Sequence, residues 1–405
     1  MKDIPEKTQC PKQETETDNA SCNVDAKKKS PTDLQLAKEN FANRKVDEPT
    51  RGNKWVSNIF FVAVLVLTIV LMYQLSMNAA DGQKTFSEIW KNIRVEYAVA
   101  SVLTLLTMIV LDTMKYFVIL HATTGKFRLL MSLKTSLTGK YYDNITPFSS
   151  GGQPFQIHYL HKKGLTGGES TAVIFIKFCF NILLLLAISM CLMVFNKDAL
   201  YTYVTNESQR NWFLVLGWVG FALNCSIPLL IIAFAVFPKL METLTRWFLT
   251  LGHKMKLIKS KDAIVLRAKR VASDFRSAFV IMFHKPLHAI CLTVCCLGEQ
   301  FLSMMLPYFV VVALAGNAVT PSWDLMFAIM TLNVYVSMTV TAVPTPGNSG
   351  ALESAFLLIL TSVAESVLFW SVFSWRFLSY YTFIIIGVCL FVVDFIRKQR
   401  RQKQI

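Results

Sequence analysis

Two polar interruptions break the apolar part of this sequence, and their residue types suit the binding of an anion. The first reads Thr146-Pro147-Phe148-Ser149-Ser150-Gly151-Gly152-Gln153-Pro154-Phe155, the second Pro344-Thr345-Pro346-Gly347-Asn348-Ser349-Gly350-Ala351-Leu352-Glu353. Both contain T-P-x-x-S-G, and each lies where one apolar element ends and another begins. A helix broken at such a point leaves N–H groups without intrahelical partners and presents its positive dipole end, which can hold a lipid phosphate. Paired Gly/Pro interruptions in two halves of a chain are also the best sequence pointer to a transporter's substrate site. The plainer reading makes them turns between helices.

Ionisable residues inside apolar runs are the second clue. Each costs about 2.5–3.5 kcal/mol at the centre of a membrane helix unless paired or hydrated. Glu299 sits near the middle of 286–314, Lys177 about one third into 170–195, and Arg376 inside the last apolar stretch. Glu353 opens the short helix after the second interruption, and Glu365 follows that helix. Asp112 and Lys115, three apart on one helix face, are expected to pair with each other. Glu353 and Arg376 have no local partner, so a long-range pairing, with or without a lipid headgroup, is expected; snorkelling to the interface is the alternative. His158 and His161, beside Lys162 and Lys163, suit headgroup contact or plain solvation better than a metal, because no acidic third ligand lies nearby. No H-E-x-x-H, P-loop or G-x-S-x-G is present, and neither a cofactor nor a catalytic residue is expected.

The elements that must position these residues are membrane helices. Of the 405 residues 53% are hydrophobic and only 17% charged, against about 25% charged in soluble domains. The net charge of +15 therefore argues for anionic lipid headgroups rather than nucleic acid. Seven of the nine cysteines lie in apolar runs without a C-x-x-C pair and read as packing thiols. Residues 1–54 are polar, dense in both charges and expected to be a disordered cytoplasmic tail. Apolar runs long enough to cross about 30 Å of hydrocarbon are Trp55–Leu75, Val95–Leu120, Ser170–Phe195, Trp212–Phe237, Pro286–Leu314 and Ser322–Val343. Ala351–Phe395 is long enough for two more. The expectation is an all-α polytopic membrane domain over 55–395, with about eight crossings and broken or re-entrant segments near 129–160 and 344–365.

Charge sets the orientation. Residues 238–285 hold 11 Lys/Arg against 3 Asp/Glu, and 396–405 form a second basic tail. Both are expected on the cytoplasmic side of the cell membrane, with both termini inside. Crossing parity then works only if 129–160 enters and leaves by one face. Within the loop, Arg267, Lys269, Arg270 and Arg276 alternate with Ile264, Leu266, Val271 and Phe275, the pattern of either a basic amphipathic helix on anionic lipid or a solvated topological signal.

T-P-F-S-S-G-G-Q-P-F-Q-I-H-Y-L, followed by Lys162-Lys163, Gly164 and a long apolar helix, resembles the first signature of the lysylphosphatidylglycerol synthase/flippase membrane family, which includes the membrane part of the multiple peptide resistance factor. P-T-P-G-N-S-G-A-L-E, with Arg376 before Tyr380 and Tyr381, is similar to the second. The resemblance spans Trp55 to Phe395. It implies a translocase for phosphatidylglycerol or its aminoacylated derivative, whose outward movement repels cationic antimicrobial peptides. It further implies that Gly151, Gly152, Gln153, Pro154, Pro346, Gly347, Gly350, Glu353 and Arg376 line a headgroup site, which the reading above extends to His158, Lys177 and Glu299. Asn348-Ser349 replace residues that are often Gly or small in the family, a difference bearing on headgroup preference. The soluble transferase domain of full-length members is not expected here, so lipid movement without synthesis is the first expectation. A separate synthase or glycosyltransferase partner would supply the lipid, and oligomers are compatible with this. Phosphatidylglycerol lysyltransferase activity, and a membrane scaffold with a basic lipid-binding loop, are the alternatives.

Overall fold

The computed structural model describes residues 86–236, 284–341 and 343–402, all helices and connectors. The expectations for residues 1–54, for Trp55–Leu75 and for all but the end of the 238–285 loop lie outside the described residues. The helices are α1 (Phe86–Asn92), α2 (Val95–Thr124), α3 (Leu129–Ile145), α4 (Gly152–Lys162), α5 (Gly167–Phe195), α6 (Asp198–Tyr203) and α7 (Glu207–Val236). After the loop come α8 (Pro286–Ala315), α9 (Trp323–Thr339), α10 (Ala351–Ala364), α11 (Leu368–Arg376) and α12 (Thr382–Gln402). A π-helical turn, Phe377–Tyr381, joins the last two into one continuous run.

Among the described residues four helical runs are long and apolar enough to cross a membrane: α2, α5, α8 with its 3₁₀ extension, and the run from α10 to Arg397. Their patterning is the reverse of a soluble helix. On α2, Val99, Val102, Leu103, Leu106 and Val110 are exposed, while Ser101, Thr104, Asp112 and Lys115 are buried. Apolar side chains outward and polar ones inward fit lipid as the surrounding solvent. The ends of these helices are set locally. Thr166 and Glu169 form a capping box at α5, with the Glu169 N–H donating to Thr166 Oγ1 at 3.2 Å and the Thr166 N–H to Glu169 Oε2 at 2.8 Å. Gly125, in the left-handed region at φ 67°, closes α2.

α2 and α8 form the centre and run antiparallel. The Arg94 N–H, just before α2, donates to the Ala313 carbonyl near the end of α8 at 3.0 Å. At the other end Lys285 Nζ, just before α8, donates to the Ala122 carbonyl at 2.6 Å, and His121 stacks on His288. Around this pair lie two large apolar cores, with a smaller cluster of Leu105 of α2, Leu137 of α3 and Phe383 of α12. One joins Ile119 and Leu120 of α2, Leu160 of α4 and Val173–Ile176 of α5. The other joins Val310–Val312 of α8, Ile329–Val336 of α9, and Phe356 and Ile359 of α10.

Each core supports a broken hairpin. α3 has 17 residues and α4 has 11, about 25 and 17 Å at 1.5 Å per residue. Neither arm crosses the hydrocarbon, as the Pro and Gly of the first interruption and the crossing parity required. α9 has 17 residues and α10 has 14, so the same limit applies. Here the structure differs from the sequence reading, which counted Ser322–Val343 as a crossing. α9 ends at Thr339, and α10 packs back beside it. Both arms rest on α6, where Ser362 Oγ of α10 donates to the Tyr203 carbonyl at 2.6 Å.

The two hairpins open at opposite ends of the fold. α10 leads directly into α11 at Leu368, whereas the open end of the first hairpin meets the far end of α12 through Lys134 and Asp394, 2.8 Å apart. The helical run between Leu368 and Asp394 is about 40 Å long. The hairpins therefore enter from opposite faces. Beyond the span α12 continues to Gln402, so most of the expected basic tail 396–405 is helical.

Candidate functional site

The tips of the two hairpins meet. Pro147 and Pro346, equivalent positions in the two T-P-x-x-S-G segments, form an antiparallel bridge. Their backbones match. In the first, the Ser149 N–H donates to the Thr146 carbonyl at 3.3 Å and the Ser150 N–H to the Pro147 carbonyl at 3.4 Å. In the second, the Asn348 N–H donates to Thr345 at 3.1 Å and the Ser349 N–H to Pro346 at 3.0 Å. The same two positions adopt positive φ: Phe148 at 55° and Ser149 at 49°, Gly347 at 55° and Asn348 at 54°. Three of those four residues are not glycine, a conformation that costs on the order of 1–3 kcal/mol each and persists where the surroundings impose it.

The amides at the breaks are engaged within the hairpins. The Gly151 N–H donates to Thr146 Oγ1 at 2.8 Å, the Gly152 N–H to Asp143 Oδ1 at 2.9 Å, and the Gly350 N–H to Glu353 Oε2 at 2.7 Å. A Cβ at Gly152 would sit 2.5 Å from that Asp143 oxygen and 2.6 Å from the Gly139 carbonyl, so a side chain there would drive the arms apart. In this conformation these glycines shape the turns, and the charges beside them are what an anion would meet.

Those charges form two groups. In the second half, Arg376 Nε donates to Glu353 Oε1 at 2.6 Å and Nη2 to the Gly347 carbonyl at 3.3 Å. Both side chains are buried, and the guanidinium lies 5.4 and 5.1 Å from the ring centroids of Trp375 and Tyr380. The long-range pairing expected for Glu353 and Arg376 is present. The π-turn that follows Arg376 places Tyr380 between the loops. Its carbonyl accepts from Asn144 Nδ2 at 3.2 Å, and its ring lies where a Cβ on Gly347 would be, 2.3 Å from the nearest atom.

The first half holds a larger network. Lys177 Nζ lies 3.2 Å from Asp112 Oδ1, and Lys115 Nζ lies 3.0 Å from the same oxygen. Lys115 also reaches Glu299 and, at 3.0 Å, Asn181 Oδ1; Lys140 bonds Glu299 Oε1 at 3.1 Å. Ser136 Oγ donates to Asp112 Oδ2 at 2.5 Å. Three lysines thus face two carboxylates. The local pairing of Asp112 with Lys115 is present, but it is one link in a network that ties α2, α3, α5 and α8 together.

Between the halves, beside the tips, lies a cavity of about 350 Å³. Lys140, Asp143 and Asn144 line it from the first half, and Gln300, Asn333 and Arg376 from the second. Cavities of about 300–1,000 Å³ with a few convergent polar groups are typical of small-molecule sites. Two cations and one carboxylate on its wall suit a phosphate that carries an ammonium group.

Of the residues singled out in the sequence, Arg376 lines this cavity, Glu353 and Gly347 hold Arg376, and Pro346 touches Pro147. Glu299 reaches the cavity through Lys140, and Lys177 is turned to Asp112, away from its wall. Gln153 is half-buried, Pro154 is exposed, and neither lines it. His158 lies elsewhere, in a cleft of about 430 Å³ with Lys134, Lys162 and Lys163. Lys140, Asp143 and Asn144 were not singled out as site residues. Their signal was present, since three polar groups near the end of a semi-apolar helix need a reason to be there.

Neither curated proteins nor solved structures yield a match to this chain. A family model does match, the lysylphosphatidylglycerol synthase TM region, over residues 58–387. Helices that expose apolar faces, two hairpins broken at the expected motifs and a buried Arg–Glu pair beside them accord with that match, and the chain belongs to the lysylphosphatidylglycerol synthase transmembrane-region family, as a multi-pass membrane protein.

Proposed function

We propose that this protein binds the headgroup of a phospholipid in the cavity beside the paired hairpin tips and moves it across the membrane. The observation that carries this reading is the Arg376–Glu353 pair beside a largely apolar cavity with a few convergent polar groups, where two hairpins from opposite faces meet. Sealing between the faces is then only as thick as two short turns, and a phosphate held there lies where the paths from the two faces meet.

Lipid chemistry follows from the wall. Arg376 offers a planar fork of donors to a phosphodiester, Lys140 adds a second cation, and Asp143 can accept an ammonium such as that of an aminoacyl group. Lysyl-phosphatidylglycerol carries both charges, and phosphatidylglycerol carries the phosphate alone. Outward movement of the lysyl lipid would make the outer surface more cationic and protect the cell from cationic antimicrobial peptides. The proposed setting is the cytoplasmic membrane, with both termini inside and anionic lipid against the 238–285 loop.

The test uses liposomes containing the full chain and fluorescent phosphatidylglycerol or lysyl-phosphatidylglycerol, with an impermeant quencher reporting the leaflet. Transport above that of protein-free liposomes supports the reading. Formation of lysyl-phosphatidylglycerol from charged tRNA and phosphatidylglycerol, without movement, would favour the transferase alternative. Neither movement nor synthesis would leave the scaffold.

A further inference from the structure

The likeness of the two tips extends through the helices around them. The shift that carries Pro147 onto Pro346 also carries α4 onto the first turns of α10 and α5 onto the run α11–α12. It brings α3 onto α9 and α2 onto α8 to within about one and two helical turns. Of these counterparts, α2 and α8 run antiparallel, and the hairpins open at opposite ends. Residues 95–195 and 286–395 are therefore an inverted repeat with its pseudo-two-fold axis at the Pro147–Pro346 bridge.

Under that shift Lys177 falls on Arg376. Each is a cation on the helix that follows its own broken hairpin, each is bound to one carboxylate of its own half, and each lies over an aromatic ring: Lys177 with Asp112 and Tyr116, Arg376 with Glu353 and Tyr380. The cavities correspond in part too. Asn333 and Ser337 line the central cavity, and their counterparts Lys134 and Thr138 line the cleft between α3, α4 and α12. That cleft carries Lys162 and Lys163 at its mouth and the stacked rings of Tyr142 and Phe155 on its wall, a phosphate-attracting rim above a surface for acyl chains. In this structure the cavity reaches Arg376, whereas Lys177 is held in its network.

We propose that the two halves are alternating half-sites, and that Lys177 is the second phosphate-binding cation. It takes over the lipid phosphate when the protein opens through the α3/α4/α12 cleft, as Arg376 holds it in the conformation seen here. The inference rests on reading Arg376 as a phosphate ligand.

The experiment measures two quantities on the full chain: phosphatidylglycerol retained by the purified protein, by mass spectrometry, and transport of fluorescent phosphatidylglycerol in liposomes. Arg376→Gln is expected to lose both. Lys177→Gln is expected to keep binding within about twofold and to lose transport by about tenfold or more, the scale of one charge-assisted hydrogen bond. Lys177→Arg retains transport. The paired variant Asp112→Asn with Lys177→Gln, which removes one charge of each sign and leaves the balance of the network unchanged, still fails to transport. Recovery of transport in that paired variant would make Lys177 a structural partner of Asp112 and overturn the inference, as would parallel loss of binding and transport in Lys177→Gln. A wild-type protein that moves no lipid would overturn the transport reading itself.

Discussion

The second half of the molecule binds its cation with one carboxylate, and the first half binds its own with a network. Arg376 has Glu353 and a cavity beside it, whereas Lys177 shares Asp112 with Lys115, which shares Glu299 with Lys140. The hairpin tips share their turn hydrogen bonds and their two successive positive-φ positions, so much of the difference lies in the electrostatics around them. A buried ion pair gains little net stability, because desolvation offsets the Coulomb attraction. A lone pair on a cavity wall has one partner to displace, and the phosphate that displaces it supplies the lost counter-charge to Arg376. In the network across four helices Asp112, Lys115 and Glu299 each serve two partners, so Lys177 is held more firmly than Arg376 and is released only when the first half rearranges.

The largest effect that would break this comparison is expected at Arg376. Arg376→Ala strands the buried Glu353 carboxylate, and breaking such a pair costs about 3–5 kcal/mol. A clear fall in the thermal midpoint should follow. Combining it with Glu353→Gln should restore much of the stability but none of the lipid transport. Restoration of both would show that the pair only holds the fold.

Next comes the backbone of the tips. Gly347→Ala keeps φ positive and drives a Cβ onto the Tyr380 ring; strain and overpacking together cost about 2–4 kcal/mol. The counterpart substitution Phe148→Gly relieves a positive-φ side chain that is already half exposed. A change within about 1 kcal/mol is expected there, since the relief offsets the lost entropy of the unfolded chain. Equal losses at the two positions, read as denaturation midpoints in one detergent, would deny that they play distinct roles around Tyr380. The smallest effect is expected at Lys134→Ala, which breaks the exposed pair with Asp394. Exposed pairs are worth about 0–1 kcal/mol, so stability should barely move.

Much of this was legible in residue types. Pro147, Pro154, Gly151 and Gly152 could not lie in a straight lipid-facing helix, and the charge of the 238–285 loop independently required 129–160 to return to its own face. Arg376 and Glu353 had no local partners, so each had to find a distant one. The destination of an apolar run was less legible. Ser322–Val343 has the length and hydropathy of a crossing, yet its helix stops at Thr339 and packs as one arm of a hairpin, because burial between helices and exposure to lipid select the same residues. Lys140 escaped notice because it sits in a semi-apolar helix and its partner, Glu299, is far along the chain. The T-P-x-x-S-G repeat covers only the tips. The helices around them have diverged too far for a repeat to be read in the residues, while the turns keep theirs because few sequences adopt two successive positive-φ positions.

The most direct measurement is photo-cross-linking of a phospholipid with a photoreactive headgroup to the protein in liposomes, mapped by peptide sequencing. The account predicts labelling at the cavity wall beside the tips, on Asn144, Ser149 and the π-turn through Tyr380, and loss of that labelling in the Glu353→Gln, Arg376→Ala protein. Labelling confined to the outward apolar faces of α2 and α12, unchanged in that variant, would contradict it.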